Sequence, residues 1–231
     1  MATRRKTYKQ RQTAQQAQPG RQTNWIVIGG VALGGLLILA GLLWLAWNPQ
    51  PATARTLSAY CARNEGRCIS LGSATAPVTV VEVSDYGCSH CREFNLTTGP
   101  LLEEAYVASG QARWVVVPFA LGPQTLPAAA AAMCAAEQDA FMPYHRALFQ
   151  GAPEGLTRAG FIEAAGRVDL DVAQFSACID ANRHNAAVQA NSQAATQAGV
   201  TGTPTFFIND GKLEGNWPFE EFQRRINAFL N

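Results

Sequence analysis

The sequence predicts an α/β domain carrying an α-helical insertion and preceded by a single N-terminal transmembrane helix. Three observations lead there. Short β-branched runs at residues 77–84, 112–119 and 205–208 alternate with helical stretches, which argues for helices packed on a common sheet. A long Ala-rich stretch of helical periodicity, about residues 124–199, interrupts that alternation. Residues 25–47 contain no charged side chain.

The N-terminal elements follow from charge and length. Residues 1–24 carry Arg4, Arg5, Lys6, Lys9, Arg11 and Arg21 with no acid, and they lack apolar periodicity, so a disordered basic tail is expected. A helix over residues 25–47 would be about 35 Å long, enough to cross a bilayer core. Trp25 at one end and Trp44 and Trp47 at the other suit the two interfaces. The positive-inside rule then places residues 1–24 in the cytoplasm and the C-terminal domain outside. Ala52-Thr53-Ala54 resembles a signal-peptide cleavage site, but a cleavable apolar region is shorter, about 7–15 residues, so a retained anchor is expected. Gly30 and Gly34 form a small-xxx-small pair; glycine is common in membrane helices, and no dimer is inferred from it.

Residues 48–58 read as an extended linker, and residues 48–69 as linker and N-terminal extension. The main domain is expected over 70–231. Residues 77–84 form a buried strand. A helix begins near Cys88 and continues to Val107, with Gly99-Pro100 expected to kink or break it. Residues 112–119 form a second strand. The Ala-rich block is expected to hold three or four helices, broken at Pro143, Gly151–Gly155 and Gly166. Thr205-Phe-Phe-Ile208 is a third strand, Asp210-Gly211 a hairpin turn into a short strand near 212–214. Pro218 opens a last helix with Phe219, Phe222, Ile226 and Phe229 on a common face. Overall, 48% hydrophobic and 15% charged residues suit a folded core. The body beyond the tail is mildly acidic, which argues against nucleic acid as a partner.

All six cysteines lie beyond the apolar span. An even count outside a membrane implies disulfides. Cys88-Ser89-His90-Cys91 is a Cys-x-x-Cys at a strand-to-helix junction. There, free N–H groups and the helix dipole stabilise a Cys88 thiolate, the species that attacks disulfides. Cys91 lies three residues on, close enough to close a disulfide with Cys88. His90 would stabilise the thiolate further and make the disulfide more oxidising. Zinc is the competing use of a Cys-x-x-Cys, but no second ligand pair follows at finger spacing, and His145 and His184 fall in helices. No metal and no cofactor is expected. A purely structural disulfide is the other alternative. Glu82, six residues before Cys88 in an otherwise apolar strand, is expected to be buried, with a raised pKa, and so able to exchange a proton during thiol chemistry; strand alternation turning it to solvent is the alternative. Gly202-Thr203-Pro204-Thr205 precedes the third strand and suits a tight turn with a cis bond. Cys61 and Cys68 are expected to close a small local loop; an electron relay to Cys88 and Cys91 stays open.

The segment 76–91 around Glu82 and Cys88-Ser-His-Cys91, followed by Gly-Val-Thr-Gly-Thr-Pro204-Thr-Phe-Phe-Ile-Asn209, resembles the DsbA-like branch of the thioredoxin superfamily. The resemblance covers about residues 70–231. It implies a thioredoxin-like fold with an inserted helical domain, Cys88 as exposed nucleophile, Cys91 as buried resolving cysteine, Pro204 as the cis-proline facing them, and Glu82 at the position of the buried acid. Some members of that branch pair two cysteines in the insertion, which implies Cys134–Cys178. The dipeptide Ser89-His90 departs from the familiar Pro-His and from the reducing Gly-Pro pair, and Thr203 occurs in isomerase-like members too. The function implied is an extracytoplasmic thiol–disulfide oxidoreductase introducing disulfides into cysteine-containing exported proteins. A membrane quinone-linked protein, DsbB-like or vitamin-K-epoxide-reductase-like, would reoxidise it. The alternatives are a membrane-tethered reductase or isomerase and, from another class, a non-catalytic tethered chaperone or metal-binding module.

Overall fold

The computed structural model describes residues 30, 33–40, 54–64, 66–151 and 155–231. Residues 1–24 and most of the expected span 25–47 lie outside them. Residues 33–40 are helical, with Leu33, Leu36, Leu37, Ile38 and Leu39 exposed. Among the described residues no helix is long and apolar enough to cross a membrane.

From residue 54 onward the chain builds one five-stranded sheet. The strands are β1 (Ile69–Leu71), β2 (Val78–Ser84), β3 (Ala112–Pro118), β4 (Thr205–Ile208) and β5 (Gly211–Glu214), in the spatial order β1-β3-β2-β4-β5. β2 and β3 run parallel, while β1, β4 and β5 pair antiparallel to their neighbours. β2 is the central strand. Six of its seven residues are buried, because both faces of the sheet are covered. Val81, Val83, Val115, Val117 and Phe207 face one core. Val78, Val80, Trp114, Val116, Phe206 and Ile208 face the other. Glu82 and Ser84 continue the second set along β2, since side chains alternate along a strand.

Helices α1 (Ala54–Arg63), α2 (Ser89–Leu96) and α3 (Thr98–Leu102) precede β3, with a π-helical turn over Glu103–Val107. The expected extended linker is corrected here, because residues 54–63 are helical. Leu57, in the middle of that stretch, is 1% exposed and packs against Val81 and Phe207. Such burial contributes about 1.5–3 kcal/mol. Tyr60 Oη donates to Asn191 Oδ1 at 2.9 Å, and the Asn191 amide donates to the Arg67 and Pro118 carbonyls at 2.7 and 3.0 Å. β1 begins at Ile69, the last residue of the expected extension, and continues into the expected main domain. The break expected at Gly99-Pro100 occurs earlier, at Thr97. Pro100 sits in the first turn of α3, where a backbone N–H has no helical partner anyway. Gly99 lies where a Cβ would come within 3.1 Å of Trp114 Cη2.

The Ala-rich block holds five helices among the described residues, more than the expected three or four: α4 (Leu126–Ala136), α5 (Phe141–Gly151), α6 (Arg158–Arg167), α7 (Val172–Asp180) and α8 (Asn185–Gln197). Pro143 does not break a helix; it lies in the first turn of α5. Gly166 lies inside α6. The chain instead turns at Asp139, Asp169 and Asn182, which adopt left-handed φ of 57°, 56° and 51°. Short polar side chains tolerate that conformation without glycine. Residues 128–135 of α4 are buried on every side, so alanine there lets neighbouring helices approach closely.

The β4–β5 turn is Asn209-Asp210, one residue earlier than expected. Ile208 pairs with Gly211, and Asn209 takes a φ of 48°. Helix α9 (Phe219–Leu230) buries Phe222 and Ile226. Phe219 and Leu230 pack on the same core, but Phe229 is 46% exposed, so the last contact belongs to Leu230.

Candidate active site

The cysteine pair sits where β2 gives way to α2. Residues 85–87 make the turn, and Asp85 fixes it. One carboxylate oxygen accepts from Gly87 N at 2.7 Å; the other accepts from Leu121 N at 2.7 Å and from the Thr125 hydroxyl. Gly87 is needed because a Cβ there would lie 2.8 Å from Thr125 Cγ2. The turn before the cysteines is therefore tied to the start of the insertion. Cys88 N donates to the Asp85 carbonyl at 3.1 Å, which sets Cys88 as the N-cap of α2.

As N-cap, Cys88 is half-buried and presents Sγ to the first turn, accepting from Cys91 N at 3.4 Å. Cys88 and Cys91 are free thiols. The hydrogen bond from the Cys91 thiol is the largest influence on Cys88. Partial burial opposes it; Thr203 and the backbone N–H groups of Cys91 and His90 reinforce it. Together they hold the Cys88 thiol at about 5. At neutral pH such a group is overwhelmingly thiolate. Cys91 is fully buried, and burial pushes its thiol well above the ordinary range, with the adjacent Cys88 adding to the rise. Two sulfurs three residues apart thus differ sharply in proton affinity, because one sits at an open helix end and the other in the core.

Thr203 faces the pair from the segment before β4. The Thr203–Pro204 bond is cis, and Cys88 Sγ lies 3.3 Å from the Thr203 carbonyl oxygen, to which it donates only while it carries its proton. The Thr203 hydroxyl is buried without a hydrogen-bond partner, and it favours the charged form of both cysteines. Pro204 is buried directly beside it in sequence. Ser89 and His90 are exposed on the first turn of α2.

Glu82 is fully buried in the centre of β2, and burial raises its pKa. Ser84 and Asn95 pull it back in part by donating to Oε1, Asn95 at 2.8 Å. Oε2 has no hydrogen-bond partner, and the Trp114 indole N–H, also unpartnered, lies near enough to favour the carboxylate. The Asn95 amide also donates to the Cys91 carbonyl at 3.1 Å, so it joins the buried acid to the buried cysteine. Asn95 and Asp85 are the site residues that sequence reasoning missed. Asn95 follows Cys91 by one helical turn, a spacing that puts both on the buried face of α2.

The remaining cysteines are paired. Cys61 joins Cys68 with Cα atoms 5.4 Å apart, and Cys134 joins Cys178 at 5.9 Å. The closest grouping of potential metal ligands among the described residues is Cys134, Cys178 and His184, and its two sulfurs are bonded to each other.

Residues 64–228 match a family model described as thioredoxin. The chain is 34% identical over 164 residues to a Na(+)/H(+) antiporter NhaA 3 of Salinispora tropica, a match covering 69% of this chain and 24% of that protein. The chain thus spans about a quarter of the length of such antiporter relatives. It is 26% identical over 204 residues to a probable disulfide bond formation protein D of Bacillus anthracis, covering 84% of this chain and 91% of the other. The crystal structure of a thioredoxin-like oxidoreductase from Silicibacter pomeroyi superposes with a TM-score of 0.64 at 26% identity, covering 76% of this chain and 96% of that one.

Proposed function

The chain belongs to the thioredoxin family, and from that premise we propose that it is a thiol–disulfide oxidoreductase working outside the cytoplasm on cysteine-containing exported proteins. The observation that carries this is the unequal pair. Cys88 is held at about 5 at a helix terminus, and Cys91 is buried three residues behind it with its thiol pushed up. In the oxidised enzyme a substrate thiolate attacks Cys88 Sγ. The Cys88–Cys91 bond breaks, and Cys91 leaves with the electron pair and takes up a proton. A second substrate thiolate then attacks the substrate sulfur of the mixed disulfide, and Cys88 leaves as a thiolate. The substrate dithiol is oxidised by two electrons and the enzyme disulfide is reduced. A leaving thiol near 5 departs readily, and stabilising the reduced state raises the potential of the disulfide. Glu82, joined to Cys91 through Asn95, is the internal group fit to exchange the proton.

Return to the disulfide form needs an electron acceptor. A membrane quinone-linked protein of the DsbB or vitamin-K-epoxide-reductase kind fits that chemistry. Anchoring by residues 25–47, with the tail cytoplasmic, is supported by the uncharged span, the basic residues before it and the exposed leucines of the helical segment 33–40. Protease digestion of intact cells tests it. Loss of the C-terminal domain with protection of the tail is expected; a fully protected chain would sink it.

Equilibration of the full chain in detergent with glutathione buffers tests the direction. A potential near the DsbA end of the family range, about −120 mV, supports disulfide donation. One near the thioredoxin value, about −270 mV, replaces it with a tethered reductase.

A further inference from the structure

The buried acid does not end its hydrogen bonding at Asn95. The Asn95 side-chain oxygen lies 2.8 Å from His145 Nε2, and His145 Nδ1 lies 2.7 Å from the Tyr86 hydroxyl. His145 comes from α5, in the insertion, while Asn95, Glu82 and Tyr86 belong to the sheet-and-cysteine part of the fold. His145 is 1% exposed and boxed by the rings of Phe141, Phe149 and Tyr86 at 5.2, 4.9 and 5.3 Å. Arg92 ties α2 to the same helix by donating to the Phe149 carbonyl at 2.8 Å.

The polarity of this chain is fixed by counting donors. The Asn95 amide N–H₂ is committed to Glu82 Oε1 and the Cys91 carbonyl, so its oxygen must accept. His145 Nε2 therefore carries the proton, and Nδ1 accepts from the Tyr86 hydroxyl. Every donor in Tyr86–His145–Asn95–Glu82 points toward the carboxyl, and aligned bonds of this kind polarise one another. The ring suits that role. Burial, with Arg146 nearby, pushes the imidazole down to about 3, so it stays neutral across the working range.

We propose that His145, delivered from the inserted helices, is a positioning residue for thiol exchange: as a neutral imidazole protonated on Nε2 it holds the Asn95 amide so that one N–H₂ group serves both the Glu82 carboxyl and the Cys91 carbonyl. The insertion thereby stabilises the carboxylate form of Glu82 against its burial, and through it governs proton transfer at Cys91. This rests on the exchange reaction proposed above. The charged or titratable groups facing the chain from neighbouring elements are Asp85 and Tyr86 after β2, Cys88 and Cys91 at the start of α2, Arg92 on α2, and Tyr144 and Arg146 on α5.

The test uses the full chain in detergent with the variants His145→Phe, which keeps the ring volume, His145→Gln, whose amide can still donate to Asn95, and Glu82→Gln. Infrared titration of the buried carboxyl in the reduced protein is the first readout. Its midpoint should rise by half to one pH unit in His145→Phe, three- to tenfold less carboxylate below the midpoint, and return toward the parent in His145→Gln. The second readout is the rate at which Cys91 resolves a mixed disulfide at Cys88, against pH. His145→Phe should move that profile to higher pH by the same interval, and adding it to Glu82→Gln should change nothing further. An unmoved carboxyl midpoint overturns the inference, as does an undiminished effect of His145→Phe in the Glu82→Gln background. Should His145→Phe fail to fold, Tyr86→Phe removes only the terminal hydroxyl and should shift the midpoint in the same direction by less; no shift there overturns the inference equally. A parent protein that exchanges no disulfides while its carboxyl still responds to His145 removes the proposed function and with it the role in exchange, leaving only the hold of His145 on Asn95 and Glu82.

Discussion

Cys88–Cys91 and Cys134–Cys178 are built from the same atoms and differ in almost everything else. The first pair is three residues apart, with one sulfur at an open helix end and the other in the core. The second pair is 44 residues apart, joins α4 to α7, and is about 1% exposed at both ends. Reactivity follows the asymmetry of an environment rather than the presence of sulfur. Where both sulfurs are buried alike, the bond is a staple; where one is lifted out and solvated by backbone N–H groups, it is a reagent.

The largest expected effect breaks the first pair. Cys88→Ser should abolish oxidation of a reduced substrate protein, a loss of at least about a thousandfold in rate, because without the Cys88 sulfur there is no disulfide with Cys91 for a substrate thiolate to attack. Cys91→Ser, offered a disulfide-bonded substrate protein, should instead accumulate the mixed disulfide at Cys88 as one substrate sulfur leaves as a thiolate and no Cys91 thiolate remains to displace the other, visible by mass spectrometry. The second pair should respond oppositely. Cys134→Ala with Cys178→Ala should lower unfolding stability by about 2–5 kcal/mol in denaturant titrations and leave the exchange rate within about threefold. Loss of exchange at retained stability would make the second disulfide part of the chemistry.

A subtler effect is the pH dependence of the first pair. The Cys88 thiol is depressed from 9.0 to about 5 in the folded reduced protein. Its contribution is therefore full above about 9, and it is lost as pH falls through about 5. The oxidised form has no such group. Glu82 has a raised pKa, so it favours folding at low pH; insofar as its surroundings are common to the two redox forms, its contribution drops out of their difference. The stability of reduced over oxidised protein should thus grow from pH 5 to 9 and flatten below 5, as measured by parallel denaturant melts. The smallest effect concerns Thr203. Thr203→Val removes a hydroxyl that favours both thiolates, so the ultraviolet thiolate titration of Cys88 should move upward by about half a unit to one unit.

How much of this was legible in the sequence depended on how local the cause was. The Cys-x-x-Cys at the end of β2 announces itself, because the strand, the turn and the helix start lie within fifteen residues. The burial of Glu82 was legible for the same reason. Helix α1 was not, since Leu57 is the one large buried side chain among its described side chains, and the partners of the helix, Val81, Phe207 and Asn191, lie far along the chain. The insertion was undercounted because its turns use Asp139, Asp169 and Asn182 instead of Gly or Pro, while Pro143 sits harmlessly in a first turn. His145 gave no local signal at all. Its partner Asn95 is 50 residues away, and only the folded chain brings the two together.

The Asp85 turn and the Thr203 contact also set an order in time. Asp85 holds the turn before Cys88 through Leu121 and Thr125, and Cys88 meets Thr203 across 115 residues of sequence. A chain leaving the ribosome exposes Cys88 and Cys91 well before Thr203 has been made. During that interval Cys88 lacks the Thr203 contact, and the site is complete only when synthesis is nearly finished.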